Sequence, residues 1–224
     1  MRMKKVWIVS FLLCMLTACA VMLTACGDDK LEAGNEETVD GVVYTLLEDG
    51  TWEVSGYDET LGASVTIPGE VKGRKVSAIG RRAFYGCDGL TSVTLTEGIR
   101  TIGEQAFRNC GDLQAIKWPG TVNAIGDAAF RGCSSLVSIA IPDSVKHLGE
   151  RLFYGCESLT DVTLPAGLES IGYRAFYRCD ILESIHYAGS VSQWNALTKD
   201  DNWISNRIAC QVVCTDGTVS VNED

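Results

Sequence analysis

A step of 23 residues constrains this chain more than any other feature. Cys87, Cys110, Cys133, Cys156 and Cys179 fall on it, as do Phe84, Phe107, Phe130, Phe153 and Phe176. Gly80, Gly103, Gly126, Gly149 and Gly172 keep the same spacing, and so do Leu90, Leu113, Leu136, Leu159 and Leu182. Ile79, Ile102, Ile125, Leu148 and Ile171 form a further apolar column. Written once, the unit is Val-x-x-Ile-Gly-x-x-Ala-Phe-x-x-Cys-x-x-Leu-x-x-Val-x-Leu-Pro. A short unit of this kind cannot bury its apolar side alone. It must stack on its neighbours, each copy contacting only the next.

The chemistry of one unit predicts its shape. In Leu90–Leu95 the alternation of Val93 and Leu95 gives a short strand with one buried face. Its counterparts are Ile116/Trp118, Ile139/Ile141, Val162/Leu164 and Ile185/Tyr187. Pro119, Pro142 and Pro165 follow three of these strands and end the ladder, because proline has no N–H to donate. The Gly-x-x-Ala-Phe-x-x-Cys stretch spaces apolar residues as a single helical or 3₁₀ turn would. Stacked strands lie ~4.8 Å apart, so each column becomes a file of matching side chains inside a coil. The expected fold is a β-rich α/β solenoid with five repeats over 76–190.

The ends must differ from the repeats, since their outer faces meet water. Residues 41–75 read as an N-terminal hairpin and a first, longer rung. Asp49-Gly50 signals a two-residue turn that sets Leu47 opposite Trp52 and Thr45 opposite Val54. Residues 191–224, with Trp194, Leu197, Trp203 and Ile204, read as a lid on the last rung.

Before the fold lies a targeting segment. Arg2, Lys4 and Lys5 precede an apolar run from Val6 to Cys26, the pattern of a secretion signal over residues 1–26. The run ends twice in Leu-Thr-Ala-Cys, at Cys19 and Cys26, and this word resembles the bacterial lipobox, whose cysteine is acylated. Polar Gly27-Asp28-Asp29 favours Cys26 as the lipidation site. Acylation with two or more chains would hold the protein on the membrane. Residues 27–40 carry six acids against Lys30 and read as a solvated tether.

Charge excludes several function classes. The chain's formal charge is −10, and without Arg2, Lys4 and Lys5 it becomes −13, from 16 basic and 29 acidic residues. A general field of that sign opposes nucleic-acid binding. With His147 and His186 the only histidines, no metal site or cofactor is expected. His186 with Asp161 and Ser184 is the best catalytic grouping available, and it lacks triad context, so no enzyme activity is expected. The cysteine column reads as a reduced, small apolar filler. An odd file of five cannot pair fully within itself.

Two exterior surfaces could hold a partner. Tyr85, Arg108, Arg131, Tyr154 and Tyr177 follow the phenylalanine column, flanked by Arg82, Arg151 and Arg174. Tyrosine and arginine dominate interface hot spots. The alternative is the strand face, with Lys117, Asp161, Thr163 and His186. A purely structural spacer with no ligand is the competing role.

The repeat resembles the BspA-like, Treponema-type bacterial surface leucine-rich repeat. The match is specific over 76–190, where every unit keeps its glycine, phenylalanine, cysteine and leucine. Leu152 in place of alanine, and Trp118 and Tyr187 in place of aliphatic residues, are its departures. The resemblance implies a right-handed leucine-rich-repeat coil displayed on the cell surface. It also implies adhesion to, or recognition of, a protein or glycan ligand, and supplies no catalytic residues. A lipid-anchored monomer is the expected form.

Overall fold

The structure is a computed structural model that describes residues 32–205 and 207–222. The predicted signal segment and Cys26 lie outside the described residues.

Each repeat contributes to three sides of a coil. The first side is the predicted strand ladder. Ser64–Ile67, Ser92–Leu95 and Ala115–Lys117 pair in parallel. Ser138–Ala140, Asp161–Leu164, Ser184–Tyr187 and Cys210–Cys214 continue the series, also in parallel. Gly217–Val221 then closes it antiparallel. The ladder is interrupted at Trp118-Pro119, where the indole Nε1 donates to the carbonyl of Ala140 at 2.7 Å. A side chain thus takes up a backbone acceptor beside the proline.

The second side was not foreseen. Two-residue strands at Thr101–Ile102 and Ala124–Ile125 stack in parallel on Arg74–Ile79. His147–Leu148, Ser170–Ile171 and Thr198–Lys199 form a second such stack. Runs this short carry too little alternation to be read from sequence.

The third side corrects the expected helical turn. Gly-x-x-Ala-Phe-x-x-Cys folds as linked β-turns. In the first repeat the N–H groups of Ala83, Tyr85 and Cys87 close turns on Gly80, Arg82 and Phe84. Those of Arg82, Phe84 and Gly86 cross to Glu104, Ala106 and Arg108 on the next rung. Alternate amides therefore serve the turn and the stack, and none from 82 to 87 is left unpaired. Positive φ marks the third position of type II turns. It recurs at Arg82, Gln105, Ala128, Arg151 and Arg174, and again at Gly86, Asn109, Gly132, Gly155 and Arg178. The Gly80 column serves a different need: a Cβ on Gly103 would sit 2.7 Å from the amide nitrogen of Arg81. Successive rungs touch there backbone to backbone.

The core is the set of columns. The five phenylalanines of the column are fully buried. Neighbouring rings stack with centroids 5.2–5.7 Å apart, an offset geometry that adds to their burial. Tyr57 stacks on Phe84 at 6.1 Å, and Trp203 meets Phe176 edge-on at 6.1 Å, so an aromatic ring closes each end of the file. The departure Trp118 packs edge-on to Phe130 at 5.7 Å. Cysteines 87 to 179 are buried free thiols. They do more than fill space. Cys110 Sγ donates to the Phe84 carbonyl at 2.9 Å, and Cys133, Cys156 and Cys179 repeat the bond to Phe107, Phe130 and Phe153. Burial pushes the thiols of Cys110 and Cys179 up to about 12, which removes the thiolate needed for exchange.

Both ends differ in part from expectation. The hairpin pairs Leu46 with Trp52, Thr45 with Glu53 and Tyr44 with Val54, one residue out of the predicted register. Leu47 N–H reaches the Thr51 carbonyl at 2.9 Å and Gly50 adopts φ 80°, so the loop has three residues, Glu48 to Gly50. Asp49 Oδ1 accepts from the amide and hydroxyl of Thr51, holding the extra residue in place. The expected tether 27–40 is also shorter: Glu36–Val39 is an edge strand on Val42–Leu46. At the C-terminal end Trp194, Leu197 and Ile204 are buried and Trp203 packs partly buried against the core. A short helix, Val191–Ala196, enters this end through a Ser190–Gln193 capping box.

Two stability outcomes follow. Phe130→Ala should lose ~3–5 kcal/mol as a buried core aromatic, and exterior Tyr154→Ala less than about 1.5 kcal/mol. Equal losses in denaturant melts would reverse the inside and outside columns. Arg178 is exposed and holds φ 62°, where three other rungs carry glycine. Arg178→Gly should gain about 1 kcal/mol, or ~2–4 °C in Tm, by relieving the left-handed backbone. Arg178→Ala should show no such gain in the same calorimetric scan.

Candidate functional site

The exterior of the turn side is built by the same turns that bury Phe and Cys. The residue after each phenylalanine points outward, which places Tyr85, Arg108, Arg131, Tyr154 and Tyr177 in one file. Five stacked rungs bring all of them together. Arg82 and Arg108 lie over the Tyr85 ring at 5.7 and 5.6 Å. Arg131 covers Tyr154 at 4.9 Å, and Tyr154 stacks on Tyr177 at 5.7 Å. Arg174 lies between Tyr177 and Tyr173, at 4.9 and 4.8 Å, and Arg151 reaches the same Tyr173 at 5.5 Å. The result is an Arg–Tyr ridge running along the coil.

Sequence reading missed Tyr173 as a member of this ridge. It stands one position after the column glycine, where Glu104, Asp127 and Glu150 stand in the preceding rungs. That switch from acid to aromatic was its signal. Arg82, Arg151 and Arg174 hold positive φ, a backbone state that costs a non-glycine residue about 1–2 kcal/mol. Arg81 and Arg151 contact Glu104 and Glu150 at 3.4 Å. Among the described residues, Arg82, Arg108, Arg131 and Arg174 make no salt bridge. Arg82 Nε and Arg108 Nη1 instead donate to Gln105 Oε1 at 3.0 and 3.1 Å, while the guanidinium faces rest on tyrosine.

The strand face brings together only part of its predicted set. Thr163 stands beside His186 in register, and His186 Nε2 lies 3.8 Å from Asp161 Oδ1 on the adjacent strand. Both side chains are half exposed, so this pair adds little stability. Lys117 lies two rungs away, with Ala140 between it and Thr163 in the column. His147 belongs to the other sheet, its Nδ1 2.9 Å from Ser170 Oγ. The two histidines therefore stand on different sides of the coil.

A third surface had no sequence signal. A groove of about 870 Å³ lies where the N-terminal hairpin meets the first rungs. Asp49 and Thr51 supply one wall, Gly69 and Glu70 another, and Thr96 to Gly98 a third, around Lys75, Ser77 and Arg100. These residues come from separate segments that only the fold assembles.

Comparison with known proteins places the repeat. The profile of the BspA type leucine rich repeat region matches six copies over residues 77–198. A leucine rich cell surface protein from Faecalibacterium prausnitzii is 31% identical with a TM-score of 0.65, over 74% of this chain and 43% of that one. The chain thus spans less than half of that protein. The T. pallidum leucine rich repeat protein is 28% identical with a TM-score of 0.63, over 80% of this chain and 85% of that one. A leucine-rich repeat protein from Bacteroides ovatus is 29% identical with a TM-score of 0.53, over 77% and 54%. A search of curated proteins gives no match. With the repeat unit, the stacked coil and the profile in agreement, the chain belongs to the BspA-type leucine-rich repeat family.

Proposed function

We propose that this protein is a lipid-anchored, extracytoplasmic recognition module that holds a protein or glycan ligand through its Arg–Tyr ridge. The observation that carries the reading is the Arg–Tyr contact series on the exterior of an acidic chain, one run joining Arg82, Tyr85 and Arg108 and a second joining Arg131, Tyr154, Tyr177 and Arg174. Arginine and tyrosine give the largest binding losses when truncated at interfaces. The ridge tyrosines lose little freedom on binding, because neighbouring guanidinium groups already fix their rings. The coil supplies a rigid support, and the likeness to a cell surface protein agrees with display outside the cell. Binding, not chemistry, is its role, with a monomer as the acting unit. Cys26 is the anchor point.

A panel of extracellular-matrix proteins and glycans should retain the wild-type protein on at least one member. Arg108→Ala/Arg131→Ala/Tyr154→Ala should lower that binding by tenfold or more, about 1.4 kcal/mol. No binding by either form would favour a structural spacer. Radiolabelled palmitate should enter the wild type in a bacterial host and not Cys26→Ala. An unlabelled wild type would remove the anchor.

A further inference from the structure

We infer that the groove beside the first long rung binds a short neutral oligosaccharide. This rests on the recognition reading for the kind of molecule held, and not on the ridge as its place.

The groove is preformed. One wall belongs to a small hairpin, Glu70–Val71 against Arg74–Lys75, whose turn residues Lys72 and Gly73 both have positive φ. Lys72 Nζ contacts Glu37 at 2.6 Å and ties this hairpin to the edge strand. At its base Gly69 lies so close to the Glu97 carbonyl oxygen that an added Cβ would clash with it. The opposite wall is fixed by Asp49, which caps its own turn through Thr51. A concavity of this size is ample for a small ligand.

Its hydrogen-bonding groups select the ligand. Thr51 Oγ1 donates to Asp49 Oδ1 at 2.8 Å, so Ser77 must be the donor in the 2.8 Å contact between the two hydroxyls. Both hydroxyl protons are committed inside the wall, and the oxygens offer only lone pairs to a ligand. Glu70 and Glu97 likewise accept. Lys75 and Arg100 donate, and among the described residues neither makes a salt bridge. Acceptors and donors therefore line one space. A sugar hydroxyl donates and accepts at the same oxygen, so adjacent hydroxyls on one ring can satisfy both sets. A polyanion would meet Asp49, Glu70 and Glu97, and a polycation would meet Lys75 and Arg100. Among the described residues no aromatic ring lines the groove, so selection falls on hydroxyl positions and not on stacking.

The test uses the full chain in detergent on an array of neutral gluco-, manno-, galacto- and xylo-oligosaccharides. Acidic oligosaccharides and charged peptides share the array. Wild type should bind a neutral member, and Lys75→Met/Arg100→Met should weaken titrated binding of that sugar at least tenfold. Glu97→Gln gives a second reading at an exposed position, with matching melts as the folding control. The ridge triple variant should bind the same sugar unchanged. The inference falls if wild type retains no neutral sugar or prefers the charged probes, or if both groove variants bind normally. Binding lost only in the ridge variant would also overturn it while leaving the ridge reading standing. Matrix binding that survives the ridge variant would instead overturn the ridge alone.

Discussion

Rung-to-rung hydrogen bonding on all three sides is the constraint on which this structure depends. A single 23-residue unit has neither enough apolar area nor enough partners for its backbone. The turn side shows how tight the requirement is. Between Arg82 and Cys87 every amide is used, alternately within the turn and across to the next copy. The cysteine thiols fit the same pattern, since the carbonyls of Phe84, Phe107, Phe130 and Phe153 each close a turn and also accept the S–H from the following rung. Alanine would fill the space and leave out that bond. Because these thiols are buried and protonated, an oxidising environment finds little thiolate to act on.

The legible part of the fold was the part that repeats. The Phe, Cys, Leu and Ile columns are the core, and the Val93-type alternation marks the first ladder. What escaped was set by backbone geometry. Two-residue strands such as Thr101–Ile102 have no period to detect. The left-handed residues that break the expected helical turn are arginine, glutamine and alanine, types that do not announce positive φ. In the hairpin, Asp49 recruits Thr51 and lengthens the loop by one residue, which shifts the pairs from Leu46–Trp52 to Tyr44–Val54 until the irregularity at Val43/Tyr44 restores the register. Glu36–Val39 looked like tether because two of its four residues are acidic, as is common on edge strands.

The candidate site divides in the same way. The ridge was visible because its members share one column, and a column on a solenoid is a contiguous surface. Tyr173 was hidden because it comes from a neighbouring column and joins only through Arg151 and Arg174. The groove could not be seen at all. Asp49, Glu70, Ser77 and Glu97 share no spacing, and the irregular first rung is what brings them together. Regular rungs repeat a surface, whereas the irregular end creates a concavity. The two kinds of place suit ligands of different shape.

Tyr57 and Trp203 close the aromatic file from opposite ends while the rungs between them interlock through the same contacts. Gain or loss of one whole copy would therefore leave every internal joint intact and merely slide one bookend along the axis. Length becomes an adjustable property of this architecture, and the reach of the outer ridge scales with it while the groove at the opening end stays unaltered.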